Sequence, residues 1–168
     1  FPLLDRPGEV LLVWTTTPWT LTSNVAAAVG VDLRYVLVRQ GDDRYWLARG
    51  TLKQALVGPF EILEERLGAE LVGWRYEGPF DELPAVRKAF ATGTRDVPDR
   101  PYEHVVVAWD EVGEEEGTGI VHIAPGCGAE DYHLGKSLGL PVIAPLDESG
   151  VILAGFGALS GRDVRDVA

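Results

Sequence analysis

Three threonines in a row, Thr15, Thr16 and Thr17, stand between Trp14 and Pro18, and Thr20 follows three residues later. Threonine is β-branched, so its χ1 is restricted and the direction of its hydroxyl is well defined. A cluster of such hydroxyls can hold a water, a ribose hydroxyl or an ester carbonyl without adding charge. About a hundred residues on comes "GTGIVHIAPGCGAEDY", residues 117–132. There His122 falls near a strand end, and Asp131 falls in the first turn of a helix preceded by glycines. Free amides and the helix dipole favour negative charge at that place, so a carboxylate there is a natural anchor for an ammonium group. Each feature also has an ordinary structural explanation. Threonine suits strands for its own sake, and acidic residues are common in first helical turns whatever the function. His122 is equally readable as a hydrogen-bonded, half-buried histidine. Cys127 lies between His122 and Asp131, but no base accompanies it in sequence, so it does not read as a nucleophile.

The elements that must position these residues are short. Glu9–Thr16 reads as a strand that stops at Pro18, because proline lacks an amide hydrogen and disfavours helix at Thr17. Along such a strand Thr15 and Thr17 point one way and Thr16 the other. Residues 34–48 hold two strand-like runs around Gly41-Asp42-Asp43, a hairpin signal. Residues 51–58 suggest a short helix, and "FEILEERL" (60–67) alternates as a half-buried strand would. "ELPAVRKAFATG" (82–93) has helical spacing at Leu83, Val86, Ala89 and Phe90 and stops at Gly93, with loop after it. His104–Trp109 and Gly117–Pro125 read as strands around an acidic, solvated turn. His104 reads as a strand-edge residue, and Trp46, Trp74 and Trp109 as core or barrel-surface aromatics. A helix over 129–139 and short strands in "PVIAP" (141–145) and "VILA" (151–154) complete the pattern.

Seven or eight short strands against a few short helices predict a mainly β fold: a closed, Greek-key-like β-barrel core decorated with a few short α-helices, with α+β as the alternative. Regular β-α alternation is absent, which argues against a doubly wound sheet. Residues 1–168 read as one domain.

Composition narrows the function classes. One cysteine in 168 residues excludes an internal disulfide and a multi-thiolate zinc site. With 26 acidic against 15 basic residues the net charge is −11, and such a surface should by itself grip phosphates poorly. If nucleic acid is the substrate, another part of a parent protein must supply most of the grip. There is no methionine, even at position 1, which suggests a segment of a longer chain. No signal peptide is visible, and the apolar runs "NVAAAVGV" and "VILAGFGAL" are too short to span a bilayer, so the expected compartment is the cytoplasm and no membrane partner is expected. One competing chemistry is a metal-dependent hydrolase using His122, Asp131 and His133 as an open zinc site. Against it, His133 is two residues from Asp131 and on a helix faces elsewhere.

Taken together and in this order, "WTTTPWT" and "GTGIVHIAP…GAEDY" resemble the editing (connective-peptide) domain of class I isoleucyl-tRNA synthetases. The likeness runs from "LLVWTTTPWTL…NVAAAV" through "YEGPF" to the glycine–histidine–aspartate stretch. Thr17, Trp19 and His122 favour the isoleucyl branch over the leucyl and valyl ones. Two positions depart from the family pattern: Thr22 replaces a usual proline, and "PGCG" (125–128) replaces a usual Pro-Ala-Phe-Gly, implying a smaller, more flexible loop. No H-I-G-H or K-M-S-K-S type motif is present, so no amino-acid activation is expected from this segment.

The resemblance implies hydrolysis of valyl-tRNA(Ile), and of the adenylate as a further possibility, with isoleucine excluded. Asp131 would bind the α-ammonium. His122 would close the side-chain end of the pocket. Thr15, Thr16 and Thr17 would contact the terminal adenosine and the ester and place a water, with Trp14 and Thr20 nearby. It implies no metal and no cofactor for editing, although the parent enzyme would use ATP. The implied partners are the aminoacylated 3′ end of tRNA(Ile), the valine moiety and the rest of the synthetase. A catalytically silent module kept for tRNA docking is the alternative within the family.

Overall fold

The computed structural model describes residues 1–91, 101–115 and 117–167. Gly41, at φ +63, makes the turn that the Gly-Asp pair predicts, and it joins β3 (Arg34–Gln40) to β4 (Asp43–Ala48) in an antiparallel hairpin. β5 (Glu61–Leu67) pairs antiparallel with the other side of β3, and the two-residue β1 (Val10–Leu11) runs parallel to β4. This mixed sheet has the order β1-β4-β3-β5. A second sheet has the order β6-β2-β7, from β2 (Ala26–Val29), β6 (Val105–Ala108) and β7 (Ile120–Ile123), with β2 and β6 parallel from Ala26↔Val105 to Val29↔Ala108.

The fold is mainly β, but its sheets are open rather than closed into a barrel. Isolated bridges rather than ladders span the gaps, at Pro2↔Val10, Leu3↔Tyr76, Arg75↔Val105 and Trp14↔Val121. β1 is too short to carry a continuous ladder, and Pro2 and Pro7 beside it cannot donate backbone hydrogen bonds. For the same reason the strand expected over Glu9–Thr16 is reduced to Val10–Leu11 and the single bridge at Trp14. "PVIAP" forms no strand or bridge, and "VILA" contributes only the bridges Leu146↔Ile152 and Val151↔Asp163. The helix expected over 51–58 is the single turn α1 (Leu52–Ala55) after a 3₁₀ turn, and a second single turn, α2 (Gly68–Leu71), follows β5. Gly93 and most of the following loop lie outside the described residues.

The chain forms two compact units, each assembled from three separate stretches. The first comprises Phe1–Thr15, Ala26–Glu77 and His104–His122. Its core gathers Leu11, Tyr35, Trp46, Leu71, Tyr76 and Ile120. Trp46 is fully buried, and its indole N–H donates to Glu9 Oε2 at 2.7 Å, which satisfies the one polar atom that burial would otherwise strand. Arg6 lies 5.4 Å above Trp46 and 4.8 Å above the half-buried Trp74. His104 is not at an exposed edge. It is 4% exposed, with its ring 4.9 Å from that of Tyr76. β5 is a strand as its alternation predicts, but an outer one: Ile62, Leu63 and Leu67 stay exposed while Glu65 takes ion pairs from Arg34 and Arg49.

The second unit comprises Thr16–Val25, Gly78–Glu103 and Ile123–Ala168. α3 (Pro84–Ala91) buries Val86 and Phe90, the face its spacing foretold, and the Phe90 ring stacks 5.0 Å from Tyr102. Tyr102 donates its hydroxyl to Val25 O at 2.7 Å. α4 (Ala129–Leu138) ends on Gly139 in the left-handed conformation, as a glycine after the last helical residue predicts.

Candidate active site

Pro18 does end the extended segment. A 3₁₀ turn follows over Pro18–Ser23, and two threonine hydroxyls hold it. Thr20 Oγ1 donates to Thr17 O at 2.7 Å, and Thr22 Oγ1 donates to Trp19 O at 2.9 Å. Thr22, where the family pattern has proline, therefore carries a turn bond that proline could not make. Thr20, expected to contact substrate, is 7% exposed and bonded to the turn. The Thr16 and Thr17 hydroxyls meet at 3.3 Å, so by this point the chain has left the strict strand alternation that would hold them apart. Thr16 is exposed and Thr15 and Thr17 are half-buried.

In the first unit, Trp14 pairs in parallel with Val121, the residue before His122. This bridge lays the threonine segment beside the glycine–histidine strand, although the two are about a hundred residues apart in sequence. Gly117 seals the contact. A Cβ there would sit 2.8 Å from the Trp14 ring, and its φ of +63 suits only glycine. Tyr35, deep in the core, accepts the Gly30 N–H at 3.0 Å and donates to Gly119 O at 2.7 Å. Burial holds its phenol well above the ordinary range, so it stays a proton donor to that carbonyl. The loop leading into β7 is thus fixed at both glycines. His122 itself is 8% exposed on β7. A hollow of about 600 Å³ opens beside Trp14, lined also by Leu12, Gln54, Gly117 and Thr118.

In the second unit, the continuations of the same two motifs are joined by Val25 N donating to Ile123 O at 2.9 Å. Ala124, the next residue, fixes the carboxylate: its N–H donates to Asp131 Oδ2 at 2.8 Å. Its carbonyl accepts from Cys127 N at 2.9 Å and from Gly128 N at 3.4 Å. Asp131 is half-buried in the first turn of α4, where the sequence placed it. The 125–128 loop is not the looser one expected, because Gly126 lies against the backbone of Ile143 and the ring of Pro125 packs on Gly135. Burial pushes the Cys127 thiol up to about 11, with the Asp131 charge adding in the same direction. At neutral pH it is a thiol rather than a thiolate, hence no nucleophile.

Trp14, Thr15 and His122 therefore lie in the first unit, and Thr16, Thr17, Thr20 and Asp131 in the second. Among the described residues, no three His, Cys, Asp or Glu side chains gather to hold a metal ion. The zinc arrangement of His122, Asp131 and His133 that the sequence allows is not formed. Sequence reading missed β2 and the Ala124 anchor. The unbroken apolar run at 25–29 is the usual mark of a strand covered on both faces and was the available signal for β2. A backbone N–H donor leaves no signal of its own.

No family model matches the chain. The isoleucine–tRNA ligase of Methanoregula boonei is 40% identical over 174 residues, covering 99% of this chain and 15% of that protein. The isoleucine–tRNA ligase of Methanothermobacter thermautotrophicus is 42% identical over 157 residues, covering 93% and 14%, and that of Pyrococcus furiosus is 41% identical over 165 residues, covering 92% and 15%. The chain thus spans about one seventh of the length of these relatives. Among solved structures, the LeuRS-CP1 crystal structure termed GlLeuRS-CP1 superimposes with a TM-score of 0.60 at 20% identity, covering 77% of this chain and 45% of the other. The editing domain of the P. knowlesi cytosolic leucyl-tRNA synthetase does so with a TM-score of 0.52 at 15% identity, covering 74% and 48%.

Proposed function

Because this chain belongs to the isoleucine–tRNA ligase family and has the fold of a synthetase editing domain, we infer that it hydrolyses valyl-tRNA(Ile) and leaves isoleucyl-tRNA intact. A methylene in an apolar pocket is worth about 1–3 kcal/mol, a general figure for which isoleucyl-tRNA synthetases are themselves the standard example. One synthetic pocket therefore mischarges valine at times. A second site that admits the smaller side chain and rejects the larger removes the error.

The observation that supports the reading is the Trp14↔Val121 bridge, which sets Trp14 and Thr15 beside the strand that carries His122. Asp131, oriented by Ala124, binds the substrate α-ammonium. His122 bounds the side-chain end, where overlap with isoleucine costs more than the site can yield. Thr15, Thr16 and Thr17 hold the terminal ribose and ester and place a water. That water's oxygen attacks the ester carbonyl carbon, the bond to the ribose oxygen breaks, and the proton passes to that oxygen. No strong base stands among these residues, so rate comes from orientation. The adenylate presents the same ammonium and side chain and is a second substrate. The tRNA reaches the site through the rest of the parent protein, because the acidic chain binds phosphate weakly.

The test is release of amino acid from valyl-tRNA and isoleucyl-tRNA by the full-length protein and its Asp131→Ala variant. Loss of one charge-assisted anchor of about 1.5–3 kcal/mol should slow valyl-tRNA hydrolysis by roughly ten- to hundredfold. Undiminished hydrolysis by the variant rejects the anchor. Binding of both esters with hydrolysis of neither identifies a silent docking module instead.

A further inference from the structure

We propose that Gly126 and Gly128 are positioning residues that decide which oxygen of Asp131 meets the substrate ammonium and keep that oxygen's flank open. The proposal rests on the reading of Asp131 as the ammonium anchor.

The two carboxylate oxygens are not equivalent. Oδ2 accepts the Ala124 N–H at 2.8 Å, and among the described residues Oδ1 accepts no hydrogen bond. Ala124 can do this because the 124–128 turn folds back on its own carbonyl. Gly126 lets that turn seat. A Cβ at this position would lie 1.9 Å from Ile143 O and 2.8 Å from Ala144 Cα, so with the turn seated as it is in this chain, and unlike the family pattern that carries alanine here, a side chain lifts it off that backbone. Because the obstruction is main chain, no rotamer change relieves it. Pro125 packs on Gly135 of α4, where a Cβ would come within 2.7 Å of the proline ring, and this ties the turn to the helix that bears Asp131.

Gly128 acts differently. Its φ of −124 and ψ of 147 are ordinary extended values that any residue adopts. The three atoms nearest to a Cβ there all belong to Asp131, with Cγ at 3.4 Å, Oδ1 at 3.5 Å and Cβ at 3.6 Å. The backbone does not require glycine here. What its absence of a side chain does is leave room beside the unbonded oxygen.

The experiment compares valyl-tRNA with the matching ester in which a hydroxyl replaces the α-amine, using full-length wild-type, Gly128→Ala, Gly126→Ala and Asp131→Asn proteins. In Gly128→Ala, KM for the amino ester should rise roughly five- to tenfold with kcat little changed, while the hydroxy ester is hydrolysed as in wild type. Gly126→Ala should lower the amino-to-hydroxy preference at least as far. If that variant does not fold, Gly128→Ala decides alone, since its backbone is unstrained and its thermal melting should match wild type. A Gly128→Ala protein that loses both esters equally, or keeps the wild-type preference, overturns the proposal. Asp131→Asn separates the two failures. If it keeps the preference, the anchor reading falls and the proposal with it. If it abolishes the preference while Gly128→Ala keeps it, only the positioning role falls.

Discussion

His122 is 8% exposed on β7, so its ring is surrounded by protein rather than by solvent. In the proposed site a packed ring acts as a wall, and its removal should admit a larger side chain. We expect His122→Ala to hydrolyse isoleucyl-tRNA about tenfold faster or more, while valyl-tRNA hydrolysis changes little. The ratio of the two rates in one preparation is the measurement, and an unchanged ratio removes His122 from the sieve. Cys127 gives a pH prediction of the opposite kind. Its thiol is pushed up to about 11, so iodoacetamide should label it slowly at neutral pH and appreciably only as pH approaches that value. Mass spectrometry across a pH series checks this, and fast labelling at pH 7 contradicts it.

At the scale of elements, the glycines around Thr118 carry a stability cost that can be read directly. Gly119 has φ +69, and a Cβ there would lie 2.3 Å from the Ala48 Cβ inside the first unit. Gly119→Ala combines backbone strain with overpacking, and should lower stability by about 1–3 kcal/mol or more, seen as a fall in the urea midpoint. Several elements were legible because one local rule governs each. Gly41-Asp42 set the hairpin, glycine punctuation and spacing set α4 and α3, and alternation set β5. β2 was not, because a strand of small residues covered on both faces shows no alternation. Barrel closure was not either, since it depends on whether edge groups find partners, and a two-residue β1 cannot supply them. Of the candidate site, the helical place of Asp131 and the break at Pro18 were legible. The turn bond of Thr20 and the seat of Gly126 were not, since both depend on where backbone carbonyls end up.

At the scale of the whole molecule, the excess of acid over base is partly organised rather than diffuse. Asp163 is held down at about 2 by hydrogen bonds from the Arg165 side chain and backbone, against an ordinary 3.8. Asp5 is lowered by Arg75, and Glu65 by Arg34 and Arg49. Groups lowered in the folded state contribute stability that is complete above their unfolded values and is lost as pH falls through the folded ones. Acidification from about pH 4 to about pH 2 should therefore weaken the fold. Because these pairs are exposed, the loss should be modest and should shrink in high salt. Circular dichroism during acid titration at two salt concentrations checks both; an acid transition complete above pH 5 contradicts the assignment.

The bridge at Trp14 also governs how the molecule is born. During synthesis the threonine segment leaves the ribosome long before Val121 does, and at roughly 5–20 residues per second the wait is about 5–20 s. For most of that interval the apolar Val25–Val29 run lacks the strand Val105–Ala108 that will pair with it. A nascent chain of this design spends its first seconds with sticky, half-paired backbone in the open, and it is in that window that a holdase has something to grasp.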